Sequence, residues 1–193
     1  MVRGSVNAYG FFAILLHWLI AVLILGLLAL GYVMTRPDTD PALQFSLFQW
    51  HKSFGMLVLG LAVLRFLQWG LWPKVAPVPT LGIWERWASL AVHRLLLLLG
   101  VLVPLAGWAI ASVSPLGIPT FMFNVVVVPH LPLAQSEEAE ILWSTVHATL
   151  AYTVLGLVAV HALAAIYHHV IRRDEVLLRM LGRRHSPPLE KRP

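Results

Sequence analysis

Histidine is the residue type in this 193-residue chain whose placement points to chemistry. Of the nine histidines, four lie inside or at the edge of long apolar segments at depths that match in pairs, namely His17, His51, His147 and His161. Imidazole nitrogen is a common ligand of transition-metal ions. Cysteine is absent, which excludes disulfides, thiolate zinc sites, iron–sulfur clusters and covalently attached haem. Any metal chemistry of this chain would therefore use imidazole ligands.

The composition identifies the surroundings of these histidines. Hydrophobic residues make up 59% of the chain and charged residues 12%, whereas soluble domains have about 45–50% apolar and about 25% charged residues. A soluble protein of this size could not bury so much apolar surface. The lipid bilayer must therefore be its main solvent, and ionisable residues inside a membrane are functional by default.

Hydropathy predicts four membrane-spanning helices, at residues 11–33, 51–71, 89–111 and 146–171. Each reaches the roughly 20 residues that cross about 30 Å of hydrocarbon. We interpret the first as a retained helix because its apolar core exceeds the about 7–15 residues of a signal peptide. The expected fold is an all-α membrane protein, a four-transmembrane-helix bundle that forms one domain over residues 1–193.

Two segments lie outside these spans. The long outer loop 112–145 is apolar from Leu116 to Leu133 but is interrupted by three prolines, so we expect a cap lying in the membrane interface. The tail, residues 172–193, is predicted to form a short amphipathic helix over 174–181 and then a basic disordered end.

The basic residues predict the orientation of the bundle. With the N-terminus inside, Arg36 and Lys52 are the only two of the 14 basic residues on the outer side. Basic residues favour the cytoplasmic side, so both termini are predicted to be cytoplasmic. The net charge of +5 is then a topology signal, and it does not indicate nucleic acid binding.

The four membrane histidines form two predicted pairs. His17 lies about 9 Å from the inner edge and His161 about 15 Å from it, while His51 and His147 lie near the outer starts of their helices. His147 and His161 are separated by about 21 Å along one helix and face within about 40° of each other. The predicted pairs are therefore His17 with His161, and His51 with His147.

Paired imidazoles in an apolar bundle core suit haem iron, for which imidazole is a normal axial ligand. Zinc would need a third or fourth ligand, and no carboxylate or thiolate lies at these depths. The sequence therefore predicts two non-covalent haem sites in the bundle core.

His168 is an alternative inner ligand, because it follows His161 by seven residues on nearly the same face. Its use would place the two irons about 31 Å apart, the whole hydrocarbon thickness, so His161 is preferred. We expect His168 and His169 to be interfacial residues. No role is assigned to His130 or His185.

Four further residues are candidates for contacts at the membrane edges. Arg65 lies towards the inner end of the second span and Arg94 near the inner start of the third, and Lys52 follows His51 on the outer side. They are predicted contacts for haem propionates or substrate, and ordinary flanking charge is the alternative. For His93, contact with a propionate or a quinone and a plain interfacial position remain open.

Four segments carry a resemblance to a known family: LLHWLI around His17, WHKSFGMLVLGLAVLRFLQW from Trp50, HRLLLLLGVLVPLAGW from His93, and HATLAYTVLGLVAVHALAAIYHHVIRRDEVLLRML from His147. Together they resemble the prokaryotic cytochrome b561 family, four-helix di-haem proteins related to hydrogenase cytochrome b subunits. The resemblance covers nearly the whole chain except the outer loop. It implies that His17, His51, His147 and His161 are the axial ligands of two b haems.

The resemblance also implies a function in the bacterial inner membrane. Within the family, the sequence is most similar to members that oxidise superoxide on the periplasmic side and reduce ubiquinone. An alternative is an anchor subunit that relays electrons between a partner dehydrogenase or hydrogenase and quinone. A histidine-lined transporter is an alternative of another class, but it would need carboxylates or broken helices near the midplane.

Overall fold

The computed structural model describes residues 9–71, 76 and 80–182. His185, to which no role was assigned, lies outside this range, as does the predicted disordered end. The elements in chain order are α1 Phe11–Met34, α2 Pro41–Leu71, α3 Ile83–Val113, β1 Thr120–Met122, β2 Val126–Val128, α4 Glu137–Tyr167, a π-helical turn His168–Arg172, and α5 Val176–Met180.

Four of these helices, α1 to α4, are long and apolar enough to cross a membrane. This confirms the predicted set of four spans. Most of their large apolar side chains point outward, as shown by Phe11 at 70% and Leu163 at 65% exposure. Such a surface is unfavourable in water and suits lipid, since every backbone group of a helix is hydrogen-bonded internally.

Three helices, α2, α3 and α4, begin before the predicted span starts at 51, 89 and 146. Polar groups cap these earlier helix starts, and hydropathy does not detect capping. Asp40 accepts hydrogen bonds from the first turn of α2, at 3.0 Å from Ala42 N. At α4 the Ser136 hydroxyl accepts from Ala139 N at 3.1 Å. Capping decides where a helix begins, whereas hydropathy marks the part that lipid surrounds.

The packing order of the bundle is sequential. α1 packs on α2, α2 on α3, and α3 on α4. The α4 backbone makes few close approaches to α1 or α2 within the described residues. α4 therefore approaches the α1–α2 pair through side chains, among them the histidine rings, and not through close backbone packing.

The outer loop contains an antiparallel hairpin of β1 and β2 that the sequence analysis did not predict. Thr120 pairs with Val128, Phe121 with Val127 and Met122 with Val126. Its turn places Phe123 at φ 51° and Asn124 at φ 57°, and two successive left-handed residues suit the right-handed twist of a hairpin. β-branched valines favour a strand, so this one stretch departs from a purely helical chain.

Beyond α4 the chain turns back under the inner end of the bundle. The predicted tail helix over 174–181 is shorter in the structure, Val176–Met180. It is attached to the first helix, because Trp18 Nε1 donates to the Met180 carbonyl at 2.9 Å. Arg179 Nη1 donates to the Ala76 carbonyl at 2.9 Å, which attaches it to the connection between α2 and α3.

His168, which was expected at the membrane interface, is buried by the tail. The residue is 9% exposed, and its Nδ1 lies 2.6 Å from a carboxylate oxygen of Asp174. Asp174 becomes buried because the π-helical turn and the left-handed Arg173, at φ 52°, fold the chain back onto His168.

We expect Asp174→Ala to destabilise the docked tail by about 3–5 kcal/mol, because removing one partner of a buried polar pair leaves the other unsatisfied. Asp174→Asn should cost less, since an Oδ1 acceptor for Val176 N, now 3.0 Å away, is retained. Limited proteolysis of the tail in vesicles measures the effect. Equal protease resistance of both variants and the unaltered chain would contradict it.

Candidate haem sites

The outer histidine pair joins α2 to α4. The ring centroids of His51 and His147 are 6.1 Å apart, with the ring planes at 78°. Val103 orients one ring, because its carbonyl oxygen lies 3.0 Å from His147 Nδ1. A hydrogen bond from Nδ1 to a backbone carbonyl leaves Nε2 as the acceptor, the usual arrangement for a metal-ligating histidine.

Two glycines provide the clearance for these rings. A Cβ at Gly31 of α1 would lie 3.3 Å from His51 Cε1, and a Cβ at Gly107 of α3 would lie 3.2 Å from His147 Cε1. Either contact is tighter than ordinary van der Waals packing. Each of these histidine rings is therefore packed against a glycine of a neighbouring helix. A larger residue in place of that glycine would displace the ring.

The inner pair joins α1 to α4. The ring centroids of His17 and His161 are 6.2 Å apart, with the planes at 68°. His93 of α3 stands beside them, with its ring 5.0 Å from that of His161. The Ser89 carbonyl oxygen lies 2.6 Å from His93 Nδ1 and orients this third ring.

For His93 the sequence left open a contact with a propionate or a quinone and a plain interfacial position, and the structure places its ring beside that of His161. Because α3 begins at Ile83, His93 lies almost three turns inside the helix and reaches His161. The residue in the sequence that indicates this earlier start of α3 is Glu85, whose Oε2 accepts a hydrogen bond from Gly82 N at 2.7 Å as in a capping box.

The spacing within each pair tests whether the residues fit a metal between the rings. A transition-metal bond to imidazole is about 2.0–2.1 Å long, so two such bonds place the nitrogens about 4 Å apart. The ring centroids are separated by 6.1 Å in one pair and 6.2 Å in the other. The remainder is of the size of the distances from the two ring centres to their nitrogens, so the ring spacing of both pairs is compatible with two imidazole ligands on one metal ion.

Three further observations favour a haem over a bare ion. His51 Nδ1 is buried without a hydrogen-bond partner, so this ring is not held in place as a structural hydrogen-bonding group. Gly55 lies one turn after His51 on the same face, and a Cβ there would meet nothing within 4 Å. Among the described residues, no group of three or more metal-binding side chains could hold a metal ion. The residues fit two axial imidazoles and open space beside them.

The candidate cations near the sites differ in their surroundings. Arg65 is half-buried and donates to the Ala13 carbonyl at 2.7 Å, one turn before His17 on α1. Lys52 is also half-buried, and its Nζ lies 3.3 Å from the Pro119 carbonyl. Arg94 is exposed on α3 and makes no hydrogen bond or ion pair within the part of the chain that the structure describes. Their contact with a propionate or substrate stays a prediction.

Comparison with known proteins agrees with this geometry. The family described as "Prokaryotic cytochrome b561" matches residues 8–183. "Cytochrome b561 homolog 2" of Escherichia coli (strain K12) is 30% identical over 178 residues, 92% of this chain and 93% of the relative. "Cytochrome b561 homolog 1" of the same organism is 31% identical over 136 residues, 69% of this chain and 74% of the relative.

A third relative carries the name of an activity. "Probable superoxide oxidase CybB" of Yersinia pestis is 29% identical over 173 residues, 89% of this chain and 94% of the relative. The family match covers nearly all of the described residues and all four spans. The chain therefore belongs to the prokaryotic cytochrome b561 family, and it is a haem-b-binding membrane protein of electron transfer.

Proposed function

We propose that this chain carries electrons across the bacterial inner membrane through two non-covalent b haems, from superoxide on the periplasmic side to ubiquinone. The observation that carries the proposal is the pair of cross-helix histidine contacts at two depths of one bundle, His51 with His147 and His17 with His161. The superoxide part is supported by the relative named as a probable superoxide oxidase, at 29% identity.

The side chains divide the work of holding two cofactors. His51 and His147 would hold the outer haem, and His17 and His161 the inner one. A bound haem supplies one-electron oxidation and reduction at its iron. The Val103 carbonyl fixes the orientation of the His147 imidazole. The apolar surroundings would restrict the access of water and charged groups to the iron.

The overall reaction balances without a further reagent. Two superoxide anions give two dioxygen molecules and two electrons, and one ubiquinone takes up those electrons with two protons to form the quinol.

On the inner side, the Nδ1 of His93 is engaged with the Ser89 carbonyl oxygen at 2.6 Å. Its Nε2 has no hydrogen-bond partner among the residues that the structure describes and is available to contact a quinone oxygen or a propionate.

A second candidate function is electron transfer with a partner subunit. The first turn of α4 carries Glu137, Glu138 and Glu140, which would repel an anion such as superoxide and attract a cationic protein surface. Arg36, one of the two outer cations, stacks on the Tyr32 ring with its guanidinium carbon 4.3 Å from the ring centre. This acidic end of α4 favours docking of a basic redox partner.

One experiment separates the two functions. The purified chain is reconstituted with ubiquinone in vesicles, and superoxide is generated outside at low ionic strength. Quinol formation that superoxide dismutase abolishes supports the superoxide reaction. Haems that dithionite reduces but superoxide does not would contradict it and favour the partner-subunit function.

The glycine contacts give a mutational prediction. We expect Gly107→Val to lower the haem content of the purified chain by about half, because the new side chain occupies the position of the His147 ring, already 3.2 Å from a Cβ and too close for ordinary packing. Gly60→Val is the matched control, since a Cβ at Gly60 meets nothing within 4 Å. Haem-to-protein ratios by pyridine haemochrome measure both. Equal haem content in the two variants would contradict the prediction.

A further inference from the structure

The hairpin of the outer loop lies along the flank of the bundle and does not sit on its end. Phe123 N donates to the Ser53 hydroxyl at 3.0 Å, and Ser53 lies about three turns inside α2. On α3, Trp108 Nε1 donates to the Pro129 carbonyl at 2.9 Å, more than one turn before the helix ends at Val113. The hairpin therefore reaches back to the level of His51.

The tip of the hairpin is held firmly against α2. The Phe123 ring lies 5.2 Å from the Phe54 ring and 6.1 Å from the Trp50 ring. Phe123 also has a left-handed backbone at φ 51°, which is unfavourable for a bulky residue and persists only when its surroundings hold it. This attachment fixes which face of the hairpin points outward.

That outward face is apolar and uncharged. Phe121 and Val127, which pair across the two strands, are 39% and 57% exposed, and Val125 at the turn is 83% exposed. Val126, whose side chain alternates to the other side of the strand, is 56% exposed as well. The loop from Pro115 to Ser136 contains no Asp, Glu, Lys or Arg. An exposed apolar patch of this kind marks an interaction surface.

The position of the patch identifies what covers it. Ser53, which holds the hairpin, is two residues from His51 and so points to nearly the opposite side of α2, away from the histidine pair and the bundle interior. Phe45 and Trp50 on the same stretch of α2 are also exposed. The valine face is therefore continuous with the lipid-facing surface of the helices.

We propose that the hairpin is a membrane-inserted element, whose valine face lies in the outer leaflet at the boundary between headgroups and acyl chains. A two-stranded sheet has unpaired backbone groups along both edges, which the hydrocarbon core does not tolerate. The expected depth is therefore the about 5–10 Å of an interfacial element, where headgroups and water satisfy these edges. This inference is independent of the electron donor and acceptor.

The absence of cysteine from the chain allows a clean test by site-directed spin labelling. Val125→Cys and Val127→Cys are labelled in the full chain, reconstituted in phosphatidylethanolamine–phosphatidylglycerol vesicles. Glu138→Cys, at the exposed start of α4, is the aqueous reference. Leu163→Cys, exposed on the face of α4 opposite His161, is the lipid reference. Collisional relaxation is measured with oxygen and with a water-soluble nickel chelate.

Membrane insertion predicts an oxygen-to-nickel ratio at both valines that exceeds the ratio at Glu138→Cys and approaches the ratio at Leu163→Cys. A ratio equal to that of Glu138→Cys would place the face in water and overturn the proposal. Low collision with both reagents would mean that protein covers the face, either a second copy or a partner, and would overturn it equally. Because both valines are exposed, their replacement leaves the attachment of Phe123 intact.

Discussion

Loss of either inner histidine is expected to remove the same haem. His17→Ala and His161→Ala should each lower the haem content by about half and delete the same component of the redox titration, because the two rings contact each other 6.2 Å apart and an iron held by both needs both. The measurement is haem content with a potentiometric titration of the α band in purified protein.

Two controls make this result specific. His168→Ala should keep both haems, because its ring is engaged with Asp174 at 2.6 Å and does not face His17. His169→Ala changes an exposed neighbour and should have no effect. If His168→Ala removed a haem and His161→Ala did not, the assignment of the inner ligand would be wrong.

The second large effect concerns the order of electron flow. His51→Ala should abolish reduction of the remaining haem by superoxide while ubiquinol still reduces it, and His17→Ala should show the converse. The reason is that His147 and His161 are separated by about 21 Å along α4, with one pair near each membrane face. Stopped-flow absorbance with each reductant measures this.

A result in which both variants respond alike to both reductants would contradict the series arrangement. Lys52→Gln is a useful companion variant, since Lys52 neighbours His51 but faces the Pro119 carbonyl. It should keep full haem content and retain reduction by ubiquinol. Any change it makes should be confined to the superoxide step, where a positive charge assists an anionic substrate.

The pairing of the histidines could be predicted because it depends on helical periodicity and depth. His147 and His161 share one helix, so their relative direction and spacing follow from helix geometry alone. The predicted spans begin at 51 and 146, whereas the helices α2 and α4 begin earlier, at Pro41 and Glu137. Both helices extend beyond the predicted span starts by nearly the same amount, so His51 still meets His147.

The features that could not be predicted depend on how separate elements approach each other. The fit of Gly31 and Gly107 against the histidine rings requires the positions of neighbouring helices, which periodicity does not provide. The approach of His93 to His161 depends on the register in which α3 packs against α4. The hairpin depends on the contact of Phe123 with Ser53, between residues far apart in the chain.

The burial of His168 has the same origin. Its position near the end of a span, beside Arg172 and Arg173, is typical of an interfacial residue. The π-helical turn over His168–Arg172 and the left-handed Arg173 bring Asp174 back to it. A polar partner supplied by a local chain reversal is visible only in the folded structure.

The most direct test of two histidine-ligated haems in one bundle is the haem stoichiometry and absorption spectrum of the purified chain before and after dithionite. The prediction is two extractable b haems per chain, with Soret and α bands that shift fully on reduction. A chain that folds in the membrane with no reducible b-type spectrum, or with a single haem that survives loss of His17 and of His51, would contradict it.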